Sequence, residues 1–203
     1  MKRRIAIAVA TAALLPTSAS AHLMATGMGP VFDGISHFGL SPEDFLPVIA
    51  LGFFAGLRGP GHSRLTLGAV TRFWLAGGMI SLSGFAASNL VLSSATAALF
   101  MLIGIALSAN LTVPTAICAA LGASLGLVRG MADLAGVDGS VAHGLSLIGM
   151  TASVFAVFAM AASLTIPLKR LWLVVAARVG GSWIAALGLL LVGWIVRYGA
   201  FTR

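Results

Sequence analysis

Six long apolar segments, parted by loops of a few residues, dictate what this chain can become. They run roughly from Phe45 to Leu57, Leu65 to Phe85, Leu90 to Ala109, Val113 to Met131, Ala142 to Ile166 and Leu171 to Val196. Inside hydrocarbon no water pairs with a free peptide group, so a crossing element must satisfy its own backbone, and apolar runs of this kind do so as α-helices. With 59% of its 203 residues hydrophobic, 8% charged and a mean hydropathy of +1.06, the chain has more apolar surface than a soluble core can hide. The expected fold is therefore all-α: a polytopic membrane protein, a bundle of six transmembrane helices with neighbours antiparallel across short loops. Gly122, Gly126 and Gly130 on the fourth segment, and Gly52 with Gly56 on the first, form ridges on which another backbone packs closely.

Residues 1–21 read as a cleavable signal peptide. Lys2, Arg3 and Arg4 precede the apolar run Ile5 to Leu15, Pro16 breaks it, and Ala19-Ser20-Ala21 supplies a small-x-small cleavage site. Eleven apolar residues fall short of the ~20 that a spanning helix needs. The expected organisation is a signal peptide (1–21), a periplasmic N-terminal segment (22–41) and a transmembrane domain (42–203). Taking the three leading cations from the twelve leaves nine against five acids, a net charge of +4. Those cations are scattered between apolar runs, without the basic stripe that binds nucleic acid. Cys118 stands alone, which excludes an intrachain disulfide and a thiolate cluster.

Signal cleavage would put the mature N-terminus outside, and six crossings return the C-terminus there. Arg58, Arg64, Lys169 and Arg170 then fall in inner loops, while the outer loops between spans carry no Lys or Arg, as the positive-inside rule asks. The expected location is a bacterial inner membrane with both mature termini periplasmic. In that orientation all five acids, Asp33, Glu43, Asp44, Asp133 and Asp138, lie toward one side, with His22, His37 and His143. Ionisable groups at the mouth of a membrane bundle mark pathways or binding sites, and this combination of acids and imidazoles suits a divalent cation.

Two constellations stand out. The first is His37-x5-Glu43-Asp44, where Ser41-Pro42 starts a helix and both carboxylates sit on its opening turn. A fold-back of the loop before it would bring His37 to the two acids; alternatively Glu43 and Asp44 serve only the helix dipole. The second is Arg129-Gly130-Met131-Ala132-Asp133, whose i, i+4 spacing places Arg129 and Asp133 on one face as a structural or partner-switching ion pair. Cleavage after Ala21 would add a chelating α-amine beside the His22 imidazole, with Met24 and Met28 nearby as soft donors. Arg72 and Arg178, deeper in the second and sixth segments, read as anchors reaching the inner interface or backbone carbonyls. His62, in Gly59-Pro60-Gly61-His62, reads as a turn residue or an inner ligand.

On these two constellations the chain resembles the HupE/UreJ family of nickel and cobalt permeases. Gly34-Ile35-Ser36-His37, Glu43-Asp44-Phe45-Leu46 and Ala50-Leu51-Gly52 align without a gap to that family's GLxH…DHLL…AxG pattern, and Val128-Arg129-Gly130-Met131-Ala132-Asp133-Leu134 matches its fourth-span Phe-His-Gly-x-Ala-His-Gly motif. The resemblance implies a cleaved signal, an N-terminal histidine (His22), six spans and a metal site of His37, Glu43 and Asp44 with Asp133 as a further ligand; His143, opening the fifth segment on the same side, is a further candidate nitrogen outside the family motifs. The chain departs from the pattern at Asp44, Arg129 and Asp133, where the family carries histidines, so the donor set leans toward a harder ion.

The expected function is a secondary permease for a divalent transition-metal cation, which would be its substrate; no permanently bound cofactor is expected. A non-transporting membrane subunit that keeps the same fold is the alternative, with homo-oligomers or a partner subunit open. No nucleotide-binding run and no nucleophile–base arrangement occurs, so the chain is not expected to be an enzyme.

Overall fold

The computed structural model describes residues 27–85, 87–137, 139–165 and 171–199. Among these every regular element is an α-helix: α1 (Pro30–Leu40), α2 (Pro42–Gly56), α3 (Pro60–Leu82), α4 (Asn89–Ser108), α5 (Thr115–Asp133), α6 (Val141–Thr165) and α7 (Leu171–Tyr198). Five of them, α3 to α7, are long and apolar enough to cross a membrane. The protein is an all-α polytopic membrane protein. The proposed signal peptide, His22, Met24, Asp138, Lys169 and Arg170 lie outside the described residues.

The sixth expected span takes an unforeseen form. Helix α2 has 15 residues, about 22 Å at 1.5 Å per residue and short of a ~30 Å hydrocarbon core. The stretch before it, expected as a loop, is the helix α1, set at 74° to α2. The break falls at Ser41, whose backbone is extended (φ −95°, ψ 99°) and whose N–H closes α1 on the His37 carbonyl. Pro42 then starts α2, because a proline cannot donate to the preceding turn and disfavours helix in the residue before it. Ser41 stands at the N-cap position, yet its side chain makes no capping bond. Helix α1 lies across the opening turns of α6: Gly34 meets the Ser146 backbone, Gly149 meets the Val31 carbonyl, and the Ser146 hydroxyl donates to the Pro30 carbonyl at 2.8 Å. Pro30 and Gly34 both meet Ser146 while Val31 meets Gly149, so α1 packs on α6 rather than extending α2.

Helices α2 and α6 run side by side in the same direction, with Gly52 against Phe158 and Ala161 and Gly56 against Ala162 and Thr165. The tightest seam joins α3 to α5, where Gly122, Gly126 and Gly130 lie on the α3 backbone at Thr66, Val70 and Trp74. Helix α7 packs chiefly on α4 and is the least enclosed, with 11% of its apolar stretch buried against 50% for α4.

Chain direction sorts the ends. The starts of α2, α4 and α6 meet the ends of α3, α5 and α7, as Arg129 beside Asp44 and Gly139 beside the Leu82 carbonyl show. At the opposite, basic end Arg58 stacks on the Phe54 ring (3.6 Å to its centroid) and donates to the Phe54 and Leu111 carbonyls. Burial there draws its guanidinium below the ordinary arginine value, though it stays protonated. His62 Nε2 meets the Val113 carbonyl and Thr115 Oγ1, each at 3.2 Å, and Arg178 donates to the Ser108 carbonyl at 2.8 Å. The Arg178 bond is the carbonyl anchor expected of it, whereas His62, expected in a turn, lies in the first turn of helix α3.

The seam yields a direct test. A Cβ on Gly126 would lie 2.7 Å from the Trp74 amide nitrogen, inside backbone that cannot yield, whereas one on Gly68 meets nothing within 4 Å. Gly126→Ala is expected to cost about 1–3 kcal/mol and Gly68→Ala none, read as thermal unfolding of the purified proteins in one detergent.

Candidate functional site

The acidic end holds a buried ion cluster. Arg129, in the last turns of α5, donates from Nε to Asp44 Oδ1 at 2.6 Å and from Nη2 to Asp133 Oδ1 at 2.8 Å. The Asp44 side chain has no exposed surface, Asp133 2% and Arg129 9%. The Asp133 bond is the i, i+4 pair that the spacing predicts. The Asp44 bond joins α5 to α2 across 85 residues of chain.

Helix geometry explains how these side chains meet. Asp44 is the third residue of α2, and its position points into the bundle, while Glu43, one residue earlier, is exposed. Successive residues on a helix diverge by ~100°, so adjacent acids serve different surroundings. Gly130 allows the close α3–α5 approach that brings Arg129 and Asp133 inward. Phe38 and Trp74 close one side, edge to face at 5.9 Å, and Phe38 packs likewise on Phe45 at 6.0 Å. His37 precedes Phe38 in the last turn of α1 and reaches the same cluster.

One ligand atom each from His37, Asp44 and Asp133 lie within 4.8 Å of one another. Ligands of one tetrahedral ion at ~2.1 Å stand roughly 3.4 Å apart, so closing on a metal takes a contraction of about an ångström and the release of Arg129. The second oxygens of both carboxylates, Asp44 Oδ2 and Asp133 Oδ2, are buried and take no hydrogen bond from the described residues. A nitrogen and two carboxylate oxygens suit a borderline or hard divalent cation.

The structure distributes the remaining expected ligands differently. Glu43 lines a neighbouring cleft of about 450 Å³ rather than the cluster, together with Arg129. His143 opens α6, its Nδ1 2.8 Å from Ser140 Oγ, and does not join the group of three. Asp33 lies in the first turn of α1. Three features escaped the sequence reading: the Asp44–Arg129 bond, the aromatic wall, and a polar stripe of Asn89, Ser93 and Thr96 along α4 that lines the cleft. The stripe was open to detection, since i, i+4, i+7 is one helix face.

Comparison with known proteins finds no matching family model, no matching curated protein and no matching solved structure.

The cluster predicts its own metal dependence. Arg129→Met would leave two buried carboxylates facing each other without a counter-charge, a loss of about 3–5 kcal/mol. Adding a divalent cation is expected to restore much of that loss in Arg129→Met and little in Arg129→Met/Asp44→Asn/Asp133→Asn. Thermal unfolding with and without manganese, cobalt or nickel checks this.

Proposed function

We propose that this protein is a secondary permease for a divalent transition-metal cation, bound by His37, Asp44 and Asp133. The observation that carries the reading is the convergence of one imidazole and two carboxylates from three helices on a point enclosed by a membrane bundle. Buried charge in a membrane protein is expensive and is retained chiefly where it binds or conducts. The resemblance of the two motifs to the HupE/UreJ nickel and cobalt permeases supports the same reading, with two carboxylates standing where that family has histidines. The proposed orientation puts the acidic end and both mature termini outside a bacterial inner membrane, with arginines at the basic end inside.

In this reading Arg129 is a tethered stand-in for the ion. It bonds both Asp44 and Asp133 and offsets one of their two charges while the site is empty, and leaves when a cation arrives. Glu43 lines the same cleft as Arg129, so it offers the guanidinium a second carboxylate and spares it an unpaired state. Metal affinity is then set by competition: the cation must outdo two charge-assisted bonds, each worth about 1.5–3 kcal/mol. Any drive comes from an ion gradient or a partner.

One observation favours a second reading. Because Arg129 already satisfies one oxygen of each carboxylate, the cluster also serves as a permanent structural bridge in a non-transporting membrane subunit.

Cellular metal accumulation separates the two. Cells expressing the chain are compared with Asp44→Asn/Asp133→Asn and Glu43→Ala/Asp44→Ala cells at matched expression, over manganese, iron, cobalt, nickel, copper and zinc. The permease reading expects one ion to accumulate and both variants to lose it, at least tenfold. Equal content for every ion in all three strains would leave the structural bridge.

A further inference from the structure

We infer that the cleft beside the ion cluster is a second cation subsite, a vestibule that receives the divalent ion with its water shell before the ion reaches Asp44 and Asp133. The inference rests on the permease reading and names the form of its substrate on arrival. The cleft lies among α2, α4, α5 and α7, and Arg129 is common to its wall and to the cluster. Arg129 spends Nε and Nη2 on the two aspartates. Its Nη1 takes no partner among the described residues and is not among the buried unpaired atoms, so it faces the cleft.

Beside the Arg129 guanidinium, the polar groups of the wall offer oxygen ligands. Glu43 supplies a carboxylate; Asn89, Ser93 and Thr96 supply an amide and two hydroxyls from a single face of α4. Thr96 is only 6% exposed, and its hydroxyl neither bonds within the described protein nor is sealed from the cleft. Serine and threonine on a helix ordinarily return their hydroxyl to a carbonyl one turn back; Thr151 does so onto Leu147 at 2.7 Å. On α4 the hydroxyls of Ser93 and Thr96 are left for the cleft, within the most apolar helix of the bundle.

Size and charge decide what fits. A volume of about 450 Å³ holds roughly fifteen waters at ~30 Å³ each, room for an ion with its inner shell. A bare ion would need a denser ring of carboxylates, whereas neutral hydroxyls and an amide match bound water, which accepts and donates. With the carboxylates ionised, Glu43 and the Arg129–Asp44–Asp133 group leave the cleft negative, which admits a cation and repels an anion. Transfer inward then exchanges partners: the ion sheds water onto His37, Asp44 and Asp133 as Arg129 moves into the cleft toward Glu43.

The test uses the full chain in cells and in proteoliposomes, with manganese, cobalt or nickel chloride as the probe. Ser93→Ala/Thr96→Val, which touches no member of the ion cluster, is expected to raise KM for uptake about five- to tenfold with kcat held, whereas Asp44→Asn abolishes uptake. Independently, Thr96→Cys is expected to react with a membrane-impermeant thiol reagent from the acidic side and to be protected by the divalent ion, even in the Asp44→Asn background. Unchanged KM together with unprotected labelling would overturn the vestibule while leaving the permease reading intact. Ion-protected labelling in a chain that moves no metal would sink the permease reading and keep the cation subsite.

Discussion

The bond from Arg129 to Asp44 is the constraint on which the acidic end depends. Three charges are held where neither water nor lipid headgroups neutralise them, so each exists only because the others are in reach. Asp44 and Arg129 come from helices α2 and α5, far apart in sequence, and their bond sets the angle and depth at which the two meet. The short α2 is thereby pinned at its first turn, next to the break at Ser41, which keeps α1 lying across α6 with His37 at the cluster. Removing the bridge would free that whole corner, not one side chain.

Small residues make this corner possible and also make it asymmetric. Glycines bring α3 and α5 nearly into backbone contact, and α2 and α6 likewise. Helix α7 meets α4 through a glycine seam of its own, at Gly104, Gly181 and Gly188, and is little enclosed elsewhere. The polar cleft is bounded by α2, α4, α5 and α7, and it reaches the cluster because Arg129 lines both.

The membrane architecture was legible because lipid leaves a chain few options. Long apolar runs must be helices, and α3 to α7 fall within a few residues of their expected bounds. Helix α1 was not legible in the same way: eleven residues cannot span, and its buried face is only Gly34 and Phe38, too sparse for a periodic signal. At the site, His37, Asp44, Arg129 and Asp133 stood out as rare ionisable groups in an apolar sequence. What sequence adjacency concealed was the parting of Glu43 from Asp44, since neighbours in a helix face different ways. The cross-helix bond of Arg129 required knowing which faces of α2 and α5 meet, a property of packing that no local pattern carries.

The departures from the histidine pattern also make physical sense as a group. An arginine at position 129 alone would bury an uncompensated cation, and aspartates at 44 and 133 alone would bury two anions. Together, one guanidinium serves two carboxylates through separate nitrogens and leaves a single net negative charge where the two aspartates alone would leave two. Such a set is stable without metal, in contrast to a cage of neutral imidazoles that gains its charge only from the ion. On the proposed permease function, a cation that enters must replace this internal rival by drawing two carboxylates and an imidazole inward at once. On that proposal Glu43, which lines the same cleft as Arg129, is the carboxylate in reach of the displaced guanidinium.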